Sequence, residues 1–107
     1  MAYPKIISTI QTILEDHKAE EISVLSLKGK SPFTDYYILA TAINERSLGA
    51  LADAVQEYLE ENDLAKRKIE GEQESGWLII DAGDAVVHLF LEWKRRELKL
   101  DELVNSL

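Results

Sequence analysis

Residues 77–91 read Trp77-Leu78-Ile79-Ile80-Asp81-Ala82-Gly83-Asp84-Ala85-Val86-Val87-His88-Leu89-Phe90-Leu91. Two β-rich runs flank a short Ala-Gly-Asp turn, and this pattern predicts an antiparallel hairpin. Side chains alternate between the two faces of a strand. Leu78 and Ile80 therefore oppose Trp77, Ile79 and Asp81. In the returning strand Val87, Leu89 and Leu91 oppose Val86, His88 and Phe90. Apolar residues stand on both faces, and such strands need cover on both. Helices split across the sheet are one source of that cover. A second copy of the chain or a partner is the other. Trp77 shares the less hydrophobic face with Ile79 and Asp81, which favours an interface anchor over a core residue.

Working outward from the hairpin, other elements follow. Lys66 to Glu70 reads as a short edge strand whose charges discourage strand-to-strand aggregation. Before it, Leu48, Leu51, Ala52, Val55 and Leu59 recur at helical steps behind Asn44, a natural N-cap, and predict a helix to about Glu61. Residues 36–41 and 22–27 read as strands, with a Gly- and Pro-containing turn over residues 28–32 between them. Ile6, Ile7, Ile10, Ile13 and Leu14 place a helix over about 4–20, with Pro4 as its first residue. Beyond the hairpin, Leu98, Leu100, Leu103 and Leu107 predict one last helical stretch from about Glu92 to Ser106. The order is α-β-β-α-β-β-β-α, an α/β (α+β) fold with a mixed four- to five-stranded sheet packed with helices.

The chain has 107 residues, which fits a single domain over 1–107 with one modest core. It is 46% hydrophobic, too apolar for disorder, and contains no cysteine, which excludes disulfides and thiolate metal sites. No apolar run is long enough to span a bilayer, and the first residues resemble neither a secretory signal nor a transit peptide. A cytoplasmic protein without membrane contact is expected. The formal charge of -8 repels nucleic-acid phosphates and suits a basic protein partner. Two local clusters run against it, Lys66-Arg67-Lys68 and Lys94-Arg95-Arg96. Both are candidates for direct contact with rRNA, and both read as solvated faces in the ordinary case.

Catalytic templates fail. The two histidines, His17 and His88, sit in no zinc-binding frame, and there is no phosphate-binding glycine loop. Ser31 or Ser75 with His88 and Asp81 could be assembled into a triad, yet no nucleophile elbow supports it. Asp81 and Asp84 flank the hairpin turn. They could hold a divalent metal for phosphoryl transfer, or Asp84 makes a turn hydrogen bond while Asp81 lies exposed at a strand end. His88, in mid-strand, reads as a structural residue. No catalytic residue, metal site or cofactor is expected.

A family pattern adds to this reading. Phe33-Thr34-Asp35-Tyr36-Tyr37-Ile38-Leu39-Ala40-Thr41 resembles the S-x-F-T-D-Y-F-V-I-A-T stretch of the ribosomal silencing factor (Iojap-like) family. Glu70-Gly71, Trp77, Asp81, Gly83-Asp84 and His88-Leu89-Phe90 resemble that family's E-G…W-x-x-x-D-x-G-D-x-V-x-H-x-F pattern. Arg46 and Ala52-Asp53 fall where the family has S-x-R-H…A-I-A-D. The resemblance covers about residues 20–104. There are departures: Ala42-Ile43-Asn44 stands for Gly-Thr-Ser, Ser47 for His, and Leu98, Asp101 and Val104 for Tyr, Glu and Trp.

The resemblance implies a nucleotidyltransferase-like fold without the enzyme's carboxylates. It implies a non-enzymatic protein that binds the large-subunit ribosomal protein called L-fourteen, prevents the small and large subunits from joining, and represses translation. The contact residues implied are Trp77, Asp81, Asp84 and His88, with Glu70 and Arg46 near. The short N-terminus suggests the bacterial form. A homodimer in solution is compatible with all of this. Two alternatives remain: a working metal-dependent nucleotidyltransferase using Asp81 and Asp84, and a homodimeric adaptor unrelated to the ribosome.

Overall fold

A computed structural model describes residues 3–106. Helix α1, Lys5–Asp16, buries Ile7, Ile10 and Leu14. It is shorter than the periodicity predicts, and Pro4 is its N-cap, not its first residue. The stop is made by the backbone. Lys18 takes a left-handed conformation (φ 65), and the Ala19 and Lys18 amides donate to the Leu14 and Glu15 carbonyls. That double bond is a Schellman closure, which satisfies carbonyls a helix end leaves open. Helix α2, Glu45–Glu61, begins as expected: the Asn44 side chain accepts from the Ser47 amide at 2.8 Å. It ends by the same device as α1, with Asp63 left-handed and the Leu64 amide on the Leu59 carbonyl.

The strands are β1 (Glu20–Ser26), β2 (Tyr36–Ala42), β3 (Glu70–Glu72), β4 (Trp77–Asp81) and β5 (Ala85–Leu91). They form one five-stranded mixed sheet in the order β1-β2-β5-β4-β3. Only the central β2–β5 pair is parallel. The hairpin of β4 and β5 has the predicted boundaries, pairing Trp77 with Phe90, Ile79 with His88 and Asp81 with Val86. The edge strand lies at Glu70–Glu72, later than residues 66–70, and a single 3₁₀ turn, Gln73–Ser75, links it to β4. Residues 66–69 are held differently: Gln56 Nε2 donates to the Arg67 carbonyl at 3.0 Å, and Ile69 packs against the core.

The expected last helix is two helices, α3 (Glu92–Leu98) and α4 (Leu100–Asn105). Lys99 breaks them apart with φ 51 and ψ 43. The break turns α4 back so that Asp101 meets Arg95, with contacts of 3.1 and 3.4 Å to its carboxylate.

Helices α1 and α2 lie on one face of the sheet. Tyr36, Ile38, Ala40, Leu78, Ile80, Ala85, Val87 and Leu89 join the helices' buried residues there in the main core. Burying this aliphatic surface is the principal driving force of the fold. The opposite face carries Tyr37, Leu39, Thr41, Trp77, Ile79, Asp81, Val86, His88 and Phe90. Short α3 and α4 cover it in part. Leu39, Phe90 and Val104 are buried outside the main core, while Tyr37, Trp77, Ile79 and Val86 stay only half-buried.

Candidate functional site: a half-covered sheet face

The half-covered part of this face is an aromatic cluster set by strand register, with half-buried Trp77 and Tyr37 beside buried His88 and Phe90. Trp77 and Phe90 are cross-strand partners, and their rings stack at 6.1 Å between centroids. The His88 imidazole lies parallel to Phe90 (6.1 Å, 7°) and stacks with Trp77 at 5.9 Å. Tyr37 arrives from β2, where it pairs with Val86, and stands edge-on to His88 at 4.5 Å. Such rings combine a large apolar area with a polar tip, which suits a surface that is covered only part of the time.

His88 is the centre of the cluster. Trp77 Nε1 donates to its Nδ1 at 3.2 Å. Only 6% of the residue is exposed, and burial lowers its pKa from 6.5 to about 4. Taking the charged imidazolium out of water is costly, so the ring is neutral near pH 7. Its Nε2 is buried without a hydrogen-bond partner.

The acidic residues border the cluster. Asp81 Oδ1 accepts from the Gly83 amide at 2.9 Å, and its Oδ2 lies 3.7 Å from Arg67. The turn bond is thus made by Asp81 and not, as the sequence suggested, by Asp84. A side-chain oxygen accepting from the amide two residues on is an Asx turn, and the left-handed Gly83 (φ 79) completes the reversal. Asp84 is exposed at the turn end of the face, and its carbonyl accepts from the Asp35 amide. Glu70 pairs with Ile79 across β3–β4 and contacts Arg67 at 3.7 Å. Arg46 does not join them. It lies in the first turn of α2 and lines a separate groove with Gly49, Asp53, Gly71 and Leu78, on the helix side of the sheet.

The Ser75–His88–Asp81 triad finds no geometry here. His88 Nδ1 faces an indole and no carboxylate, while Ser75 Oγ donates to the Glu72 carbonyl at 2.6 Å. Among the described residues no group of three or more His, Cys, Asp or Glu side chains is placed to hold a metal ion. No helix among them is long and apolar enough to cross a membrane.

Of the second basic cluster, Lys94 pairs with Glu97 at 2.9 Å and Arg96 with Glu92 at 2.6 Å. Arg95, read from the sequence as part of a solvated basic face, is instead 91% buried, since only 9% of it is exposed. Its guanidinium donates to the Glu21 carbonyl (2.6 Å), Thr41 Oγ1 (3.0 Å), Ser23 Oγ (3.3 Å) and the Asp101 carboxylate. It ties β1, β2 and α4 together on the face that carries the aromatic cluster. Sequence reading missed Arg95 and Tyr37. A buried arginine has no local signature, and Tyr37 reaches His88 only through the β2–β5 pairing of distant segments.

Comparison with known proteins agrees with this architecture. A family model described as ribosomal silencing factor during starvation matches residues 2–106. A Bacillus subtilis protein named ribosomal silencing factor RsfS is 29% identical over 103 residues, covering 96% of this chain and 87% of the relative. A mouse protein named for mitochondrial assembly of the ribosomal large subunit is 27% identical over 100 residues, covering 91% of this chain and 44% of its own length. The crystal structure of a Chromobacterium violaceum protein superposes with a TM-score of 0.90 at 30% identity, covering 98% of this chain and 88% of that one.

Proposed function

The chain belongs to the ribosomal silencing factor family, and we propose that it docks on the large ribosomal subunit through the half-covered sheet face, contacting the protein L-fourteen. Docked there, it sterically keeps the small subunit from joining and lowers translation. It acts by binding alone, with no bond made or broken, and works in the cytoplasm. The single observation that carries this reading is the cluster of Trp77, His88, Phe90 and Tyr37, left half-open by α3 and α4 and bordered by Asp81, Asp84 and Glu70. Acidic residues on a chain of charge -8 steer approach to a basic ribosomal protein, and the aromatic anchor holds the complex. Arg46, remote from this face, is left out of the contact set. The fold is read as a nucleotidyltransferase-like scaffold whose catalytic acids are gone; magnesium–ATP calorimetry giving measurable heat would oppose that.

The test is co-sedimentation with separated ribosomal subunits at two salt concentrations. The protein is expected to travel with the large subunit, to block joining, and to bind less tightly at higher salt. Recovery at the top of the gradient with both subunits would overturn the proposal. A second reading draws on the same half-open face: two copies pair through it in solution, so dimer and ribosome compete. Analytical ultracentrifugation of the purified protein, with and without large subunits, separates the two.

A further inference from the structure

We infer that His88 keeps the N–H of its Nε2 for the docking partner, which supplies the missing acceptor as a backbone carbonyl of an extended, basic segment; this rests on the docking reading above. An indole N–H can only donate. The 3.2 Å contact from Trp77 Nε1 therefore makes Nδ1 the acceptor and puts the proton of the neutral ring on Nε2. That Nε2 is buried and has no partner. The Tyr37 ring, edge-on at 4.5 Å, offers no more than a weak N–H···π contact. A buried donor left unmade is a standing cost to the free protein.

The position of the defect in the fold points to its use. His88 sits mid-strand in β5, between Leu39 of β2 and Ile79 of β4, on the face that α3 and α4 leave half-covered. Its neighbours Tyr37 and Trp77 are half-buried rings at the surface of that face. Because Nε2 is buried, an acceptor reaches it only if one of these half-buried rings shifts on docking. A carboxylate is the wrong acceptor, because Asp81, Glu70 and Glu72 stand on the same face by register and repel it. A neutral main-chain carbonyl fits, with a cationic side chain of the same segment set against Asp81.

Two substitutions separate the nitrogens. Asparagine at 88 offers Trp77 an acceptor near the Nδ1 position and loses the Nε2 donor; glutamine reaches the Nε2 position and loses the Nδ1 acceptor. In binding to purified large subunits, His88→Gln is expected to stay within about threefold of the parent and His88→Asn to weaken about tenfold or more. A merely structural histidine predicts the reverse order, because His88→Asn preserves the bond to Trp77. Parental affinity in His88→Asn, or equal losses in both variants with lowered melting temperatures, overturns the inference. If the parent itself fails to bind, the docking reading falls and takes the inference with it. Nitrogen-15 NMR of the free protein's imidazole gives an independent check: the proton must sit on Nε2, and a ring protonated at Nδ1 overturns the assignment whatever the binding result.

Discussion

The two faces of the sheet were built from the same strands by different rules. The face under α1 and α2 is aliphatic, and Ile38, Ala40, Ile80, Val87 and Leu89 are fully enclosed. The opposite face carries rings and polar tips, covered by two short helices that meet at a left-handed residue. The first face is closed by this chain's own aliphatic side chains, and the buried polar Gln56 lies at its border, with Nε2 on the Arg67 carbonyl and Oε1 without a partner. The second has a half-buried indole, a buried imidazole with one nitrogen unpaired, and an arginine that makes five hydrogen bonds to four residues. Aliphatic packing closes a surface. Amphipathic packing leaves it able to accept another molecule.

The largest expected effect is on the sealed face. Leu51→Ala removes a residue 1% exposed in α2 and should cost about 3–4 kcal/mol of unfolding free energy in urea titration. A loss near 1 kcal/mol would mean that face is no better packed than the other.

Arg95→Ala comes next. Asp101 and three other acceptors are left facing a hole, at about 3 kcal/mol, and α4 should lose amide-exchange protection before the sheet does. Simultaneous loss across the whole sheet would show that the arginine serves both faces.

Acid should act on the second face in particular. His88 titrates at about 4 when folded against 6.5 as its ordinary value. The unfolded chain therefore binds more protons between these limits. The contribution is complete above pH 6.5 and is lost progressively as pH falls towards 4, reaching about 3 kcal/mol. His88→Phe should flatten that part of the stability profile. An unchanged slope in the variant would assign the acid sensitivity elsewhere.

Smaller still is the folding cost of Trp77→Ala, about 1–2 kcal/mol for a half-buried ring, while large-subunit binding falls about tenfold. A variant that folds worse but binds normally would make Trp77 a core residue, and the contrast between faces would shrink accordingly. Asn44→Ala, at the α2 cap on neither face, should cost about 1 kcal/mol with binding untouched.

Much of this was legible in the residues. The hairpin of residues 77–91, the Asn44 cap and the sidedness of Trp77 all follow from local rules, in which neighbours along the chain decide the outcome. Helix ends were less legible. Lys18 and Lys99 adopt left-handed backbone that lysine seldom takes, and only the surrounding contacts make that worthwhile. The family pattern named Arg46 and Glu70 together with Trp77, yet α2 carries Arg46 to the other side of the sheet. Shared pattern does not imply shared surface.

The sequence by itself determined which strands exist, which side chains share a strand face, and that cysteine chemistry had no place to form. These are consequences of short-range geometry, the twofold alternation of strands and the 3.6-residue turn of helices. Only the tertiary structure decided that β2 lies parallel to β5, bringing Tyr37 to His88. It alone turned Arg95 from a surface cation into a buried clasp and left one sheet face half-open. Those outcomes depend on contacts between residues as many as 74 positions apart, whose formation is governed by how whole elements pack and not by any local pattern.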